Sequence, residues 1–158
     1  MAHSRVGDVL QTQGKLEGER VAFDEYLTIS RRLAEQDPSN AGWQRGLALA
    51  HSRVGDVLQS QGKLEAAREA FDEYLTINRR LAEQDPSNAG WQRDLALAIY
   101  RIARMASSSG SYKRAAGLLI EAIQIFEQLV EKSPEQVVWN AELEKISKVL
   151  FVIVRQLK

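Results

Sequence analysis

The chain has 158 residues, of which 44% are hydrophobic and 27% charged, with only 3 prolines. This composition excludes disorder as the main state and suits one ordinary domain or a short array of repeating units. Lys plus Arg and Asp plus Glu both number 21, so the formal net charge is +0 and gives no electrostatic reason to expect nucleic acid or an acidic membrane as partner.

The residue types present also exclude several kinds of site. The sequence has no cysteine, which excludes disulfides and cysteine-ligated metals, and two histidines are too few for a histidine-rich metal centre. We therefore expect no metal and no cofactor. The longest purely apolar run, residues 149–154, is far shorter than the ~20 residues that cross a bilayer, and no signal peptide is visible. These features predict a cytoplasmic protein with no membrane association.

An internal repeat of 48 residues organises the chain. Residues 2–49 and 50–97 differ only at positions 12, 18, 19, 21, 30 and 46, and a diverged third copy begins at Ala98. A fixed period of this length indicates a repeat architecture. We predict a single array over residues 1–158, which comprises repeat 1 (2–49), repeat 2 (50–97), repeat 3 (98–134) and a C-terminal helix (135–158).

Each copy is predicted to form two long helices. The segment 85–88, Asp-Pro-Ser-Asn, supplies a helix breaker and then side-chain oxygens that can cap the next helix. Gly14, Gly62 and Gly110 share one position in the three copies and predict the turn inside each pair, because glycine readily takes the left-handed conformation. The predicted helices, in chain order, are 2–13, 15–36, 40–61, 63–84, 88–109, 111–132 and 135–157.

From Val54 onward the repeat resembles a tetratricopeptide repeat. The key positions of that motif hold Val54, Gly55, Leu58, Gly62, Leu64, Ala67 and Phe71. The period is 48 rather than the usual 34, as in the long-helix repeats found in tandem in bacterial proteins. The resemblance implies an all-α fold, an α-solenoid of antiparallel helix pairs wound as a right-handed superhelix with about seven helices. In that motif the positions of Gly55 and Ala67 hold small side chains because the two helices cross closely there. Glu19 stands where the second copy has Ala67, which predicts a looser first crossing.

No motif predicts catalysis. His3 and His51 share one position in two copies and are better explained as residues that face a neighbouring helix than as catalytic bases. The segment 55–64 lacks the spacing and the Ser or Thr of a phosphate-binding loop. Adjacent carboxylates such as Asp72 and Glu73 point about 100° apart on a helix and do not converge on one bond. We therefore expect no catalytic residue and no enzyme activity.

The resemblance implies a binding face instead, because the first helices of tetratricopeptide arrays line a concave surface that binds proteins or peptides. The residues it assigns to this face, called the concave-face set below, are Arg45, Ser52, Asp56, Gln59, Arg93, Tyr100, Arg104 and Ser107. The Lys/Asn pair with which some family members clamp a terminal carboxylate is absent. The first hypothesis is a non-enzymatic interaction module or scaffold with a protein or peptide partner, expected to be a fragment of a larger array. A groove with no ligand in this fragment alone is the plainer alternative.

The final helix predicts self-association. One apolar stripe of this helix suffices to pack on the unit before it, yet Phe151, Val152 and Val154 lie off that stripe. Because the end helix of a solenoid normally turns a polar face outward, this pattern predicts a homodimer or larger assembly through the C-terminal helix. The alternative function is thus a structural self-assembly element whose main partner is itself. Near-identical copies also allow a helix of one chain to replace that of another.

Overall fold

The computed structural model describes the backbone of residues 2–158 and the side chains of residues 8–158. This part of the chain is 87% helical and contains no strand, which confirms the all-α class. The helices are α1 (Ala2–Gln36), α2 (Ala41–Ser60), α3 (Leu64–Gln84), α4 (Ala89–Ser108), α5 (Tyr112–Lys132) and α6 (Val137–Gln156). Their number within the described residues is six, rather than about seven.

The first predicted turn is wrong, because α1 runs unbroken for 35 residues where two helices were expected at 2–13 and 15–36. Gly62 and Gly110 close their turns with φ of 75° and 82°, whereas Gly14 lies within the continuous helix. The physical difference is Glu19. Its counterpart Ala67 is fully buried, so an identical first hairpin would have to bury a carboxylate.

The chain divides into two compact units, Met1–Ile77 and Asn78–Lys158. In unit 1, α1 and α2 pack antiparallel. Near one end, the Gln44 Nε2 donates a hydrogen bond to the carbonyl oxygen of Ala34 at 3.3 Å. Near the other, Gln61 Nε2 donates to Glu17 Oε1 at 2.7 Å. The end of α2 therefore lies level with Glu17, and the residues of α1 before that point extend beyond α2.

The close helix crossing expected at Gly55 is present in unit 1. A Cβ atom placed on Gly55 would lie 2.7 Å from Cε1 of Phe71, which is too close for any side chain without movement of the ring. Val54, Leu58 and Phe71 are all buried around this crossing. The spacing of these residues on their helices therefore matches the packing predicted for the second copy.

In unit 2, α4 packs on α5 and α5 packs on α6. The largest fully buried side chains of this unit are Ile99, Leu119, Phe126 and Ile146, with Asn78 at its start. Helix α4 begins as the sequence predicts, because Asn88 Oδ1 accepts a hydrogen bond from the backbone N–H of Trp91 at 3.0 Å. This packing brings the C-terminal half of α4 near α6.

Candidate functional site

A groove of about 370 Å³ opens between α4 and α6 in unit 2. On α4 its lining residues are Arg104, Ser107 and Ser108, which share one helix face because they are three and four residues apart. On α6 the lining residues are Lys148, Val149, Val152 and Ile153. The groove thus combines apolar side chains with two cations and two hydroxyl groups.

The two cations of the groove have different surroundings. The Arg104 guanidinium carbon lies 6.0 Å from the centroid of the Tyr100 ring, and Lys145 Nζ lies 5.1 Å from the same centroid. Lys148 Nζ pairs with Glu144 Oε1 at 3.0 Å on the exposed side of α6. Within residues 8–158, no carboxylate forms a salt bridge with Arg104. Arg104 thus lies at the outer limit of a cation–π contact with Tyr100, and its charge stays available to a ligand.

The concave-face set is exposed only in part. Ser52 is 4% exposed and Tyr100 is 7% exposed, so neither offers its side chain to a docking partner. The more accessible members are Arg45, Asp56, Gln59, Arg93, Arg104 and Ser107. Of these, the structure brings Arg104 and Ser107 together in one groove, whereas Arg45, Asp56 and Gln59 belong to unit 1.

Lys148 is the charged residue of the groove that sequence reasoning missed. The repeat offset of 48 places it at the position of Tyr100 in the third copy and of Ser52 in the second. Extending the repeat through the final helix would therefore have assigned it to the same face. The apolar pattern that predicts self-association of the C-terminal helix does not include this lysine.

The residues predicted for self-association lie on the surface of α6. Phe151 is 62% exposed, and Val152 and Val154 are also exposed. The Arg155 guanidinium carbon sits 4.6 Å from the centroid of the Phe151 ring, so a cation covers one face of that ring. Val152 alone of the three also lines the groove. Self-association through these residues stays a prediction.

A second pocket, in unit 1, contains the one histidine whose side chain is described. Its lining residues are Arg31, Ala34, Glu35, Pro38, Gln44, Leu47, His51 and Glu73. Burial lowers the pKa of His51, the nearby carboxylate of Glu73 opposes this shift, and Arg31 adds to it. The lowered pKa favours the neutral imidazole, which suits a residue that packs between helices.

The described part of the chain contains neither a metal-binding cluster nor a membrane-spanning helix. No group of three or more His, Cys, Asp or Glu side chains converges there in a way that could hold a metal ion. None of the six helices combines the length and the apolar character that a membrane crossing requires.

No protein-family model matches the chain, and no curated protein matches it either. Among solved structures it is similar to one described as the crystal structure of BtubC (BKLC) from P. vanneervenii, with 20% identity and a TM-score of 0.44. The alignment covers 87% of this chain and 66% of that one, just under two thirds of its length. A likeness at that TM-score supports no inference about function.

Proposed function

We propose that this chain is a non-enzymatic protein-interaction module, and that the groove between α4 and α6 binds an acidic segment of a partner protein. The observation that carries the proposal is the pairing of Arg104 and Lys148 with an apolar lining of Val149, Val152 and Ile153. Carboxylates of a partner would meet the cations, and a large apolar side chain would cover the valines. Arginine and aromatic contacts of this kind dominate many protein interfaces.

The arrangement around Arg104 supports an ordered binding group rather than a freely moving surface cation. Its guanidinium is held beside Tyr100, whose ring is buried and also contacts Lys145. A side chain that is already oriented loses less conformational entropy on binding. Lys148 must exchange its partner Glu144 for one on the ligand, but an exposed pair of this kind contributes little to stability and exchanges easily.

The resemblance to tetratricopeptide repeats supports the same proposal. Arg104 and Ser107 belong to the face that the resemblance assigns to partner binding, and Lys148 occupies the equivalent position on the last helix. On this reading the chain is a helical-repeat segment of a longer array, wound as a right-handed superhelix and located in the cytoplasm. The partner is a protein or peptide, with no cofactor, nucleic acid or membrane involved.

Selection from a random peptide library on the immobilised full chain tests the proposal. We expect enriched peptides to contain at least two Asp or Glu residues beside a Leu or an aromatic residue. Arg104→Glu should weaken their binding about tenfold or more, because a charged hydrogen bond is replaced by repulsion. Arg114→Glu makes the same charge change on the exposed surface of α5 and should leave binding unchanged. Enrichment of basic peptides, or equal losses in both variants, would show that the groove is not the site.

The exposed apolar residues of α6 favour a second candidate function, self-assembly through the C-terminal helix. Phe151 and Val152 are large apolar side chains that solvent contacts directly. A homodimer that buries them should dissociate in the Phe151→Glu, Val152→Lys double variant, which light scattering at ~100 μM would reveal. An unchanged mass in the double variant would reject this contact. Because Val152 also lines the groove, self-assembly there would compete with the acidic peptide.

A further inference from the structure

The second half of α1 carries an apolar stripe that solvent contacts. We call it the open stripe, and it comprises Ala22, Tyr26, Ile29 and Leu33. These residues are four, three and four positions apart, so they lie within about 60° of one another around the helix. Ile29 is 55% exposed and Tyr26 is 38% exposed. At 1.5 Å per residue the stripe is about 17 Å long, which is about three helical turns.

The second copy of the repeat buries the same stripe. The counterparts of its four residues are identical in type and are Ala70, Tyr74, Ile77 and Leu81. Ile77 is only 4% exposed, against 55% for Ile29, and Ala70 is 8% exposed, whereas Ala22 is exposed. Because the two stripes have the same residues, the difference in exposure arises from what packs on them.

A preceding helix folded against the stripe accounts for this difference. The turn at Gly62 folds α2 back on α3, where Gly55 meets Phe71. The chain passes through Gly14 without a turn, so α1 carries no such helix within the described residues. The helices that follow are equivalent in the two copies, because α2 and α3 follow α1 as α4 and α5 follow α3. The second copy therefore shows what covers this stripe, namely a helix with the apolar face of α2.

Glu19 determines the charge that such a helix must carry. It lies at the edge of the open stripe, about 20° beyond Tyr26 around the helix. Its side chain is half-buried, and within residues 8–158 no Lys or Arg forms a salt bridge with it. A helix laid along the stripe would bury this carboxylate further, which costs free energy unless a cation pairs with it. The second copy has Ala67 at this position, so α2 needs no such cation.

We infer that the open stripe is the docking surface for an amphipathic helix of another protein, which presents an apolar face like that of α2 and a Lys or Arg opposite Glu19. The helix lies antiparallel to α1, as α2 lies to α3. Tyr26 borders the surface on the side of α2, because its hydroxyl donates to the carbonyl oxygen of Gly46 at 3.5 Å. Toward the N-terminus the polar residues Lys15 and Gln11 continue the line of the stripe and end its apolar part.

Two synthetic peptides with the sequence of residues 41–60 serve as probes. Leu58 is the position to vary, because it lies one turn after Gly55 and Ala67 lies one turn before Phe71, which brings the two about level in the antiparallel pair. Leu58→Arg makes the cationic probe and Leu58→Glu the anionic probe. Fluorescence anisotropy of each labelled probe, titrated with the full chain, gives its dissociation constant. The cationic probe should bind about tenfold or more tightly, because Glu19 attracts it and repels the other.

Ile29→Glu should weaken binding of the cationic probe about tenfold or more, because it places a charge in the apolar stripe. Val21→Glu is the matched control and should leave binding unchanged. Val21 is 58% exposed, like Ile29, but it lies about 110° from the centre of the stripe, and the second copy has Glu69 at its position. Circular dichroism should show the same helix content in both variants. Equal losses of binding would overturn the inference.

Charge reversal tests the role of Glu19 apart from any effect on folding. In the Glu19→Arg variant the anionic probe should bind more tightly than the cationic one, a reversal that a merely weakened α1 would not produce. An unchanged preference would contradict the role given to this carboxylate.

This inference is independent of the groove between α4 and α6, so Arg104→Glu should leave binding of both probes unchanged, and a loss there would place the probes in the groove instead. No binding of the cationic probe at ~100 μM chain overturns the inference. So does a wild-type dimer that Ile29→Glu converts to a monomer in light scattering, because a second copy of the chain would then cover the stripe.

Discussion

Replacing glycine by alanine at equivalent positions of the first two copies should have opposite effects. Gly14 and Gly62 stand in nearly identical sequences, but Gly14 lies inside α1, whereas Gly62 has φ of 75°. A Cβ atom would meet no other group within 4 Å at either position, so packing does not separate them. The backbone conformation alone decides the sign of the effect.

The magnitudes follow from that conformation. Inside a helix, alanine is more stable than glycine by about 0.5–1 kcal/mol, so Gly14→Ala should stabilise α1. In the left-handed region an L-residue costs about 1–2 kcal/mol, so Gly62→Ala should destabilise unit 1 by that amount. The two variants should therefore differ by about 1.5–3 kcal/mol in the free energy of unfolding.

Urea denaturation followed by circular dichroism measures both free energies, and amide hydrogen exchange of residues 9–16 reports α1 separately. Gly14→Ala should slow exchange there, because the helix becomes harder to open. If Gly14→Ala is instead destabilising by as much as Gly62→Ala, the first copy closes a turn at Gly14, and the account of α1 as a continuous helix is wrong.

Three further outcomes are expected from unit cores and helix ends. Because the pKa of His51 is lowered in the folded chain, the unfolded chain binds a proton at this residue more readily, and the stability of the folded state declines as pH falls below 6.5. His51→Ile should therefore make Tm change less between pH 7.5 and 5.5. The same change in Tm for the variant and the wild type would contradict this. Gly55→Ala should destabilise by about 1–3 kcal/mol in urea, because its Cβ meets the Phe71 ring, whereas Gly46→Ala in open space on α2 should not destabilise. Asn88→Ala should lower stability by about 1 kcal/mol through loss of the α4 cap, and a loss below 0.3 kcal/mol in urea denaturation would show that the cap is replaced.

Local sequence signals determined most of the helix ends in this chain. The Asp-Pro-Ser-Asn segments place a breaker and a cap next to each other, and Asn40 and Asn88 do cap α2 and α4. Gly62 and Gly110 likewise take the positive φ that their position predicts. These features act within four or five residues, so they can be recognised without knowing what packs nearby.

The groove between α4 and α6 could not be predicted from local sequence signals alone. The repeat placed Arg104 and Ser107 on one helix face, and it contained the information that would add Lys148. It did not predict that Tyr100 would be buried beneath Arg104 or that Val152 would join the lining. Those facts follow from how α6 packs in unit 2, which involves residues distant in sequence.

The first copy shows most directly what only tertiary structure decided. The repeat predicted a turn at Gly14, since the residues around it match those around Gly62. Glycine permits the left-handed conformation but does not require it, and inside a helix it costs only about 1 kcal/mol. The choice between turn and helix therefore depends on whether the two flanking segments can pack. Ala67 fits the buried crossing, while Glu19 would place a charge there, and the same local sequence consequently continues as one unbroken helix.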